Sequence, residues 1–137
     1  MQNYRFNRPA NTKNIWVVAK KMLSLKKNEE FAIQHSILYL FNLRLKDFIV
    51  FAVPNGTQIQ NAITRAINIL TGLKAGVSDL VLIYDGKTYF IEIKTKNGKQ
   101  SAEQIQFQKD VENQGLDYVI LRNLDDAEKF LKKIKGE

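Results

Sequence analysis

The sequence predicts an α/β domain in which a mixed four-stranded sheet is flanked by helices, in the order α-α-β-α-β-β-α-β-α. Three patterns carry that prediction. Apolar residues recur at helical spacing from Glu29 to Leu45, an unbroken apolar run of strand length fills Phe48 to Val53, and two strand-like segments, Leu80 to Tyr84 and Thr88 to Lys94, are joined by Asp85-Gly86-Lys87. Helical and strand periods that alternate along one chain are the mark of layered α/β folds.

Each element has its own local reason. Ile15 to Leu23 can form a short helix, and Asn28-Glu29-Glu30 reads as the entry to a second, with a capping residue followed by carboxylates beside the positive end of the helix dipole. That helix should run to about Leu45. The apolar run Phe48 to Val53 ends at the turn signal Pro54-Asn55-Gly56 and reads as a strand buried on both faces. Thr57 to Leu73 carries Ile59, Ile63, Ala66, Ile67 and Leu70 on one helical face, with Thr57 as its cap and Gly72 and Gly76 closing it. Asp85-Gly86 then signals a tight hairpin between two antiparallel strands. After the polar loop Thr95 to Gln100, Ser101 caps a helix that Gly115 stops near Gln114; Tyr118 to Leu121 is a fourth strand and Asp125 to Ile134 a last helix.

The composition sets limits on function. The 137 residues suit a single domain spanning residues 1–137, with its core at about 29–121 and residues 1–28 as a basic extension bearing the short helix. With 45% hydrophobic and 26% charged residues the chain is globular rather than disordered. It has no cysteine and one histidine, which excludes a disulfide framework, a thiolate nucleophile and Cys- or His-rich metal sites. Met1 to Thr12 holds no apolar stretch of the signal-peptide kind, and Phe48 to Val53, the longest apolar run, is far short of the roughly 20 residues of a membrane-spanning helix. A cytoplasmic protein that is neither secreted nor membrane-bound is expected. Twenty-one Lys plus Arg against 14 Asp plus Glu give a charge of +7, which serves either solubility alone or attraction to a polyanion, nucleic acid first.

Polar residues that interrupt an apolar pattern are informative, because burying them costs energy unless something pairs with them. On the helix from Glu29, a rotation of about 100° per residue puts Gln34, Ile37 and Phe41 within about 40° of Glu30, so Glu30 and Gln34 lie in the apolar stripe. Glu30 is either a site residue or an N-terminal charge beyond the end of the core. His35 falls away from the stripe and reads as an exposed surface residue, not a general base.

Along Tyr89 to Lys94 the strand period sends Glu92 and Lys94 to one face, Ile91 and Ile93 to the other. Such a pair is common on exposed strands. Here, however, Gly76-Val77-Ser78-Asp79 opens the neighbouring strand, and the short Asp-Gly connection brings Asp79 near the far end of its partner. Converging carboxylates without His or Cys form a hard-oxygen site of the kind that holds Mg2+ and leaves positions for water and phosphate. An adjacent lysine can orient water and stabilise charge on phosphate oxygens. Phosphodiester hydrolysis suits these parts.

The array Glu30, Asp79 and Glu92-Ile93-Lys94 resembles the PD-(D/E)XK nuclease signature, and the element order resembles the restriction endonuclease-like core. The chain is most similar to the VRR-NUC domain, through Glu30-x-x-x-Gln34, Val53-Pro54-Asn55-Gly56, Gly76-Val77-Ser78-Asp79 and Ser101-x-x-Gln104, which together span roughly Glu29 to Leu121. The proline usual before the family's aspartate is Ser78 here. The resemblance implies a DNA endonuclease dependent on Mg2+, with Mn2+ as a substitute. It implies Glu30, Asp79, Glu92 and the Ile93 carbonyl as metal ligands, Lys94 as the catalytic lysine and Gln104 as an accessory residue beside it. It places Asn55 near DNA, with Gln34 as a further contact, and includes homo-oligomeric enzymes that act on branched or Holliday-junction DNA in replication, repair or recombination, phage proteins among them. Lys96 and Lys99 either contact phosphates flanking the cut or form a solvated loop. The rival reading is a DNA-binding module that keeps the nuclease fold without catalysis. The aromatics do not interleave with Lys or Arg, so no single-strand stacking platform is expected.

Overall fold

The computed structural model describes residues 29–53 and 61–137. Its elements run α1 (Glu29–Arg44), β1 (Phe48–Ala52), α2 (Ala62–Leu70), β2 (Leu80–Tyr84), β3 (Lys87–Ile93), α3 (Ala102–Asn113), β4 (Asp117–Leu121) and α4 (Leu124–Lys135). The four strands form one mixed, open sheet in the order β1-β2-β3-β4. The helix expected at Ile15 to Leu23 lies outside the described residues, as do Asn28, Asn55, Gly56, Thr57 and Ile59.

The hairpin follows from its turn chemistry. Asp85 and Gly86 both have positive φ, 50° and 71°, the conformation a two-residue turn needs to match the twist of its strands. The register runs from Tyr84 opposite Lys87 to Leu80 opposite Ile91. At the far end of β3, Ile91, Glu92 and Ile93 are all buried, so this strand is covered on both faces.

By their contacts the described residues form two compact units. One comprises residues 29–49, 93–98 and 120–137. In it α1 packs on α4, with Ile37, Phe41, Ala127, Phe130 and Leu131 buried and the Phe41 and Phe130 rings 6.3 Å apart. Arg44 and Glu128 bridge the same helices at 3.4 Å, an exposed pair that contributes little. The acids Asp125 and Asp126 in the first turn of α4 and lysines 132, 133 and 135 in its last complement the helix dipole. Asn123 caps its start.

The other unit comprises residues 50–53, 61–92 and 99–119. Its core joins Leu80, Val81 and Leu82 of β2 and Tyr89 and Ile91 of β3 to Phe107 and Val111 of α3. Phe107 meets Phe90 and Tyr118 edge-on, with centroids 5.5 and 6.3 Å apart.

Three expectations are corrected. Phe48 to Val53 is not buried on both faces: Phe48 is buried while Ile49 and Phe51, which alternate to the other face, are exposed, as on a strand covered on one side. The third predicted helix is capped by Asn61, whose side chain accepts the Thr64 N–H at 2.8 Å, and runs Ala62–Leu70, ending short of Leu73. None of its residues is buried, and Ile63, Ile67 and Leu70 are exposed. His35 is half-buried rather than exposed, its ring stacked on Phe31 one turn away.

Candidate active site

The hairpin register builds the site. Its last pair is Leu80 with Ile91, and Asp79 and Glu92 are the residues directly beyond that pair on the two chains. Asp79 is half-buried, and its carbonyl accepts the Val53 N–H at 2.9 Å. Glu92 is 1% exposed. Its Oε1 accepts a 2.6 Å hydrogen bond from Gln104 Nε2, and its Oε2 is also buried.

Gln104 is aimed by its own helix start. Ser101 Oγ accepts the Gln104 N–H at 3.2 Å, and Gln104 Oε1 accepts the Ser101 N–H at 2.8 Å, a reciprocal capping box. The carboxamide is thereby fixed at its oxygen and free to donate through its nitrogen. The same turn is pressed by Gly76, where a Cβ would lie 2.3 Å from the Glu103 carbonyl group and 2.7 Å from the Gln104 nitrogen. With φ at +78°, this position is doubly restricted to glycine. Ser78 follows, fully buried, its hydroxyl donating to the Leu80 carbonyl at 3.1 Å.

Tyr118 of β4 senses both acids. Its phenol is pushed up to about 12, first by burial, then by the charge of Glu92, with Asp79 adding to it and a hydrogen bond from Gln100 opposing it. Gln100 Nε2 donates to the Tyr118 hydroxyl at 3.3 Å and to Gln108 Oε1 at 2.9 Å. Gln108 in turn donates to Glu112 at 2.9 Å. Elsewhere on α3, Gln106 and Lys74 hold the exposed Asp110 carboxyl below its ordinary range.

Two solved structures have this architecture. One, a VRR_NUC domain, is 16% identical and superposes with a TM-score of 0.56 over 76% of this chain and 95% of its own. The other, a VRR_NUC domain protein, is 18% identical, with a TM-score of 0.62 over 80% of this chain and 89% of its own. The fold is that of a VRR_NUC domain. No family model and no curated protein sequence matches the chain.

On the VRR_NUC fold the expected residues occupy distinct places. Asp79, Glu92 and Gln104 are gathered. Lys94, just past the end of β3, is 8% exposed. Ile93 is buried. Glu30 is exposed in the first turn of α1 and Gln34 half-buried one turn on. Lys96 and Lys99 are exposed, and Asn55 lies outside the described residues. Among the described residues, no group of three or more His, Cys, Asp or Glu is assembled as a metal site. A carboxylate pair still fits the ion's chemistry, because Mg2+ is commonly held by one or two carboxylates with water and phosphate completing its shell.

Sequence reasoning missed Tyr118 and Gln100. The available signal was a polar tip on each at the sheet end nearest the acids. Among the described residues no helix is long and apolar enough to cross a membrane.

Proposed function

We propose that this chain is a Mg2+-dependent nuclease that hydrolyses DNA phosphodiester bonds, with Mn2+ able to substitute. The observation that carries the reading is that Asp79 and Glu92 both act on the Tyr118 phenol, with Gln104 donating to Glu92 on a VRR_NUC fold. The net charge of +7 draws the DNA in, so binding is strongly salt-dependent.

Asp79 and Glu92 are the residues that would hold the ion, and Glu30 and the Ile93 carbonyl are the further ligands that the sequence resemblance implies. When bound, a divalent ion supplies Lewis-acid polarisation of the phosphate and a water of lowered pKa. Lys94 orients the attacking water and stabilises negative charge on the phosphate oxygens. Gln104 orients the Glu92 carboxylate, an outer-shell role. Lys96, Lys99, Gln34 and Asn55 contact the DNA. Branched DNA, including four-way junctions, is the substrate proposed, with the chain acting as a homo-oligomer in replication, repair or recombination.

The test is incubation with supercoiled, linear and four-way-junction DNA in Mg2+, Mn2+ or EDTA, beside Asp79→Ala, Glu92→Ala and Lys94→Ala. Cleavage requiring the metal and lost in all three variants supports the reading. Cleavage that survives EDTA or the three substitutions overturns it. Salt-sensitive binding with no cleavage makes the chain a DNA-binding module.

A further inference from the structure

The turn after Lys94 is held by a cation from another part of the same unit. Gly98 N–H donates to the Thr95 carbonyl at 3.1 Å and closes residues 95–98 into a turn. Arg122, directly after β4, donates from Nη1 to the carbonyls of Thr95 at 2.6 Å and Gly98 at 2.8 Å, with the Lys96 carbonyl 3.5 Å away. Its backbone is anchored too: the Arg122 N–H donates to Asp126 Oδ2 at 3.1 Å, and the Asp126 N–H donates to the capping Asn123 side chain at 2.8 Å. The preceding residue, Leu121, accepts the Lys94 N–H on its carbonyl at 3.2 Å.

Inside the turn a Cβ at Gly98 would stand 3.0 Å from Thr95 Oγ1 and 3.4 Å from Lys94 Cδ. The turn therefore lies along the stem of Lys94, which is 8% exposed. A charged donor on carbonyl oxygens makes bonds about twice as strong as a neutral one. Two short charged bonds, 2.6 and 2.8 Å, are thus spent on the backbone beside this lysine.

We infer that Arg122 is a positioning residue: it fixes the Thr95 to Gly98 turn against Lys94 and so holds the lysine side chain in a single setting. A lysine at 122 keeps the charge but is shorter and lacks the planar fork, so it restores the function only in part. The consequence for catalysis rests on the nuclease reading; the consequence for Lys94 itself does not.

The experiment uses the full chain, as wild type, Arg122→Gln, Arg122→Lys and Gly98→Ala, whose added methyl pushes on the turn from inside. Lysine accessibility is read by reductive methylation followed by residue-resolved mass spectrometry, folding by the thermal midpoint, and DNA cleavage by kcat and KM. In folded Arg122→Gln, labelling of Lys94 should rise about tenfold while exposed Lys96 and Lys99 stay unchanged. kcat should fall between about tenfold and a hundredfold with KM within about twofold, and Arg122→Lys should recover part of both. Should Arg122→Gln fail to fold, Arg122→Lys and Gly98→Ala report in the same direction. Lys94 labelling equal to wild type in the folded variants overturns the inference. Faster labelling in variants of a wild-type protein that cleaves no DNA supports the positioning role and sinks the nuclease reading instead.

Discussion

Gln104 donates to Glu92 at 2.6 Å through the nitrogen of a carboxamide whose oxygen is already bound to the helix cap. The donor end is therefore not free to flip, and Gln104→Ala should lower metal affinity or cleavage about 10- to 100-fold. Gln104→Glu is the sharper probe, because it sets two carboxylates in one buried place and raises the pKa of the pair. An acid whose folded pKa is raised keeps a proton that the unfolded chain releases. The variant should match wild type below about pH 4.3 and lose stability as pH rises above it. Urea midpoints across that range check the sign; a variant equally stable at neutral pH would show that Gln104 does not constrain Glu92.

Tyr118 reports the charge of the acid pair without any cleavage assay. Glu92→Gln should lower its pKa from about 12 by more than Asp79→Asn does, since Glu92 contributes the larger of the two repulsions. Gln100→Ala should raise it, because that side chain's hydrogen bond lowers it. Burial, the largest cause, remains in every variant, so none should bring Tyr118 down to the ordinary value of 10.0. Titration of labelled tyrosine resonances, assigned with Tyr118→Phe, gives the order.

Gly76→Ala should be among the most destabilising small substitutions in the chain. It adds a Cβ 2.3 Å from backbone atoms of Glu103 at a φ of +78°, and the left-handed conformation and the overlap together cost about 2–5 kcal/mol. Gly115→Ala, at φ +74° with open space around it, should cost only about 1–2 kcal/mol. Equal urea midpoints for the two variants would mean that the α3 start yields to the methyl.

If Lys96 and Lys99 contact phosphates, each alanine variant should weaken DNA binding by a similar factor for all sequences. Each should also flatten the salt dependence by about one ion, as expected when a phosphate contact is removed. Binding isotherms at several salt concentrations measure the slope. An unchanged slope assigns the two lysines to a solvated loop.

The hairpin was legible because Asp85-Gly86 admits few backbone conformations, and an acid and a lysine two apart on a period-two strand can be assigned to one face without a structure. The capping box of Ser101 and Gln104 is equally local. Phe48 to Val53 was misread for the opposite reason. An apolar run states that its residues avoid water, not whether a layer covers each face, and in β1 Ile49 and Phe51 are exposed. The stripe on α1 located Ile37 and Phe41 correctly but could not say how far along the axis burial extends, and Glu30 in the first turn is exposed. Arg122 and Tyr118 were illegible because their partners are remote. The Arg122 bonds cross 24 and 27 residues, and the Gln100 to Tyr118 bond crosses 18. No local periodicity encodes such pairings.

The two-residue turn at Asp85-Gly86 acts as a ruler for a site it never touches. Opposed residues in this hairpin are determined by counting back from Tyr84 and Lys87 to Leu80 and Ile91, so the acids directly beyond that last pair, Asp79 and Glu92, stay side by side only while the intervening lengths are kept. Exchanging side chains along β2 or β3 leaves that count intact, whereas inserting one residue on either strand turns its downstream side chains to the opposite face. Chain length between these two acids is thus under a stricter constraint than the identity of most residues that make it up, and a single-residue insertion near the tip should disable the site as thoroughly as removing a carboxylate.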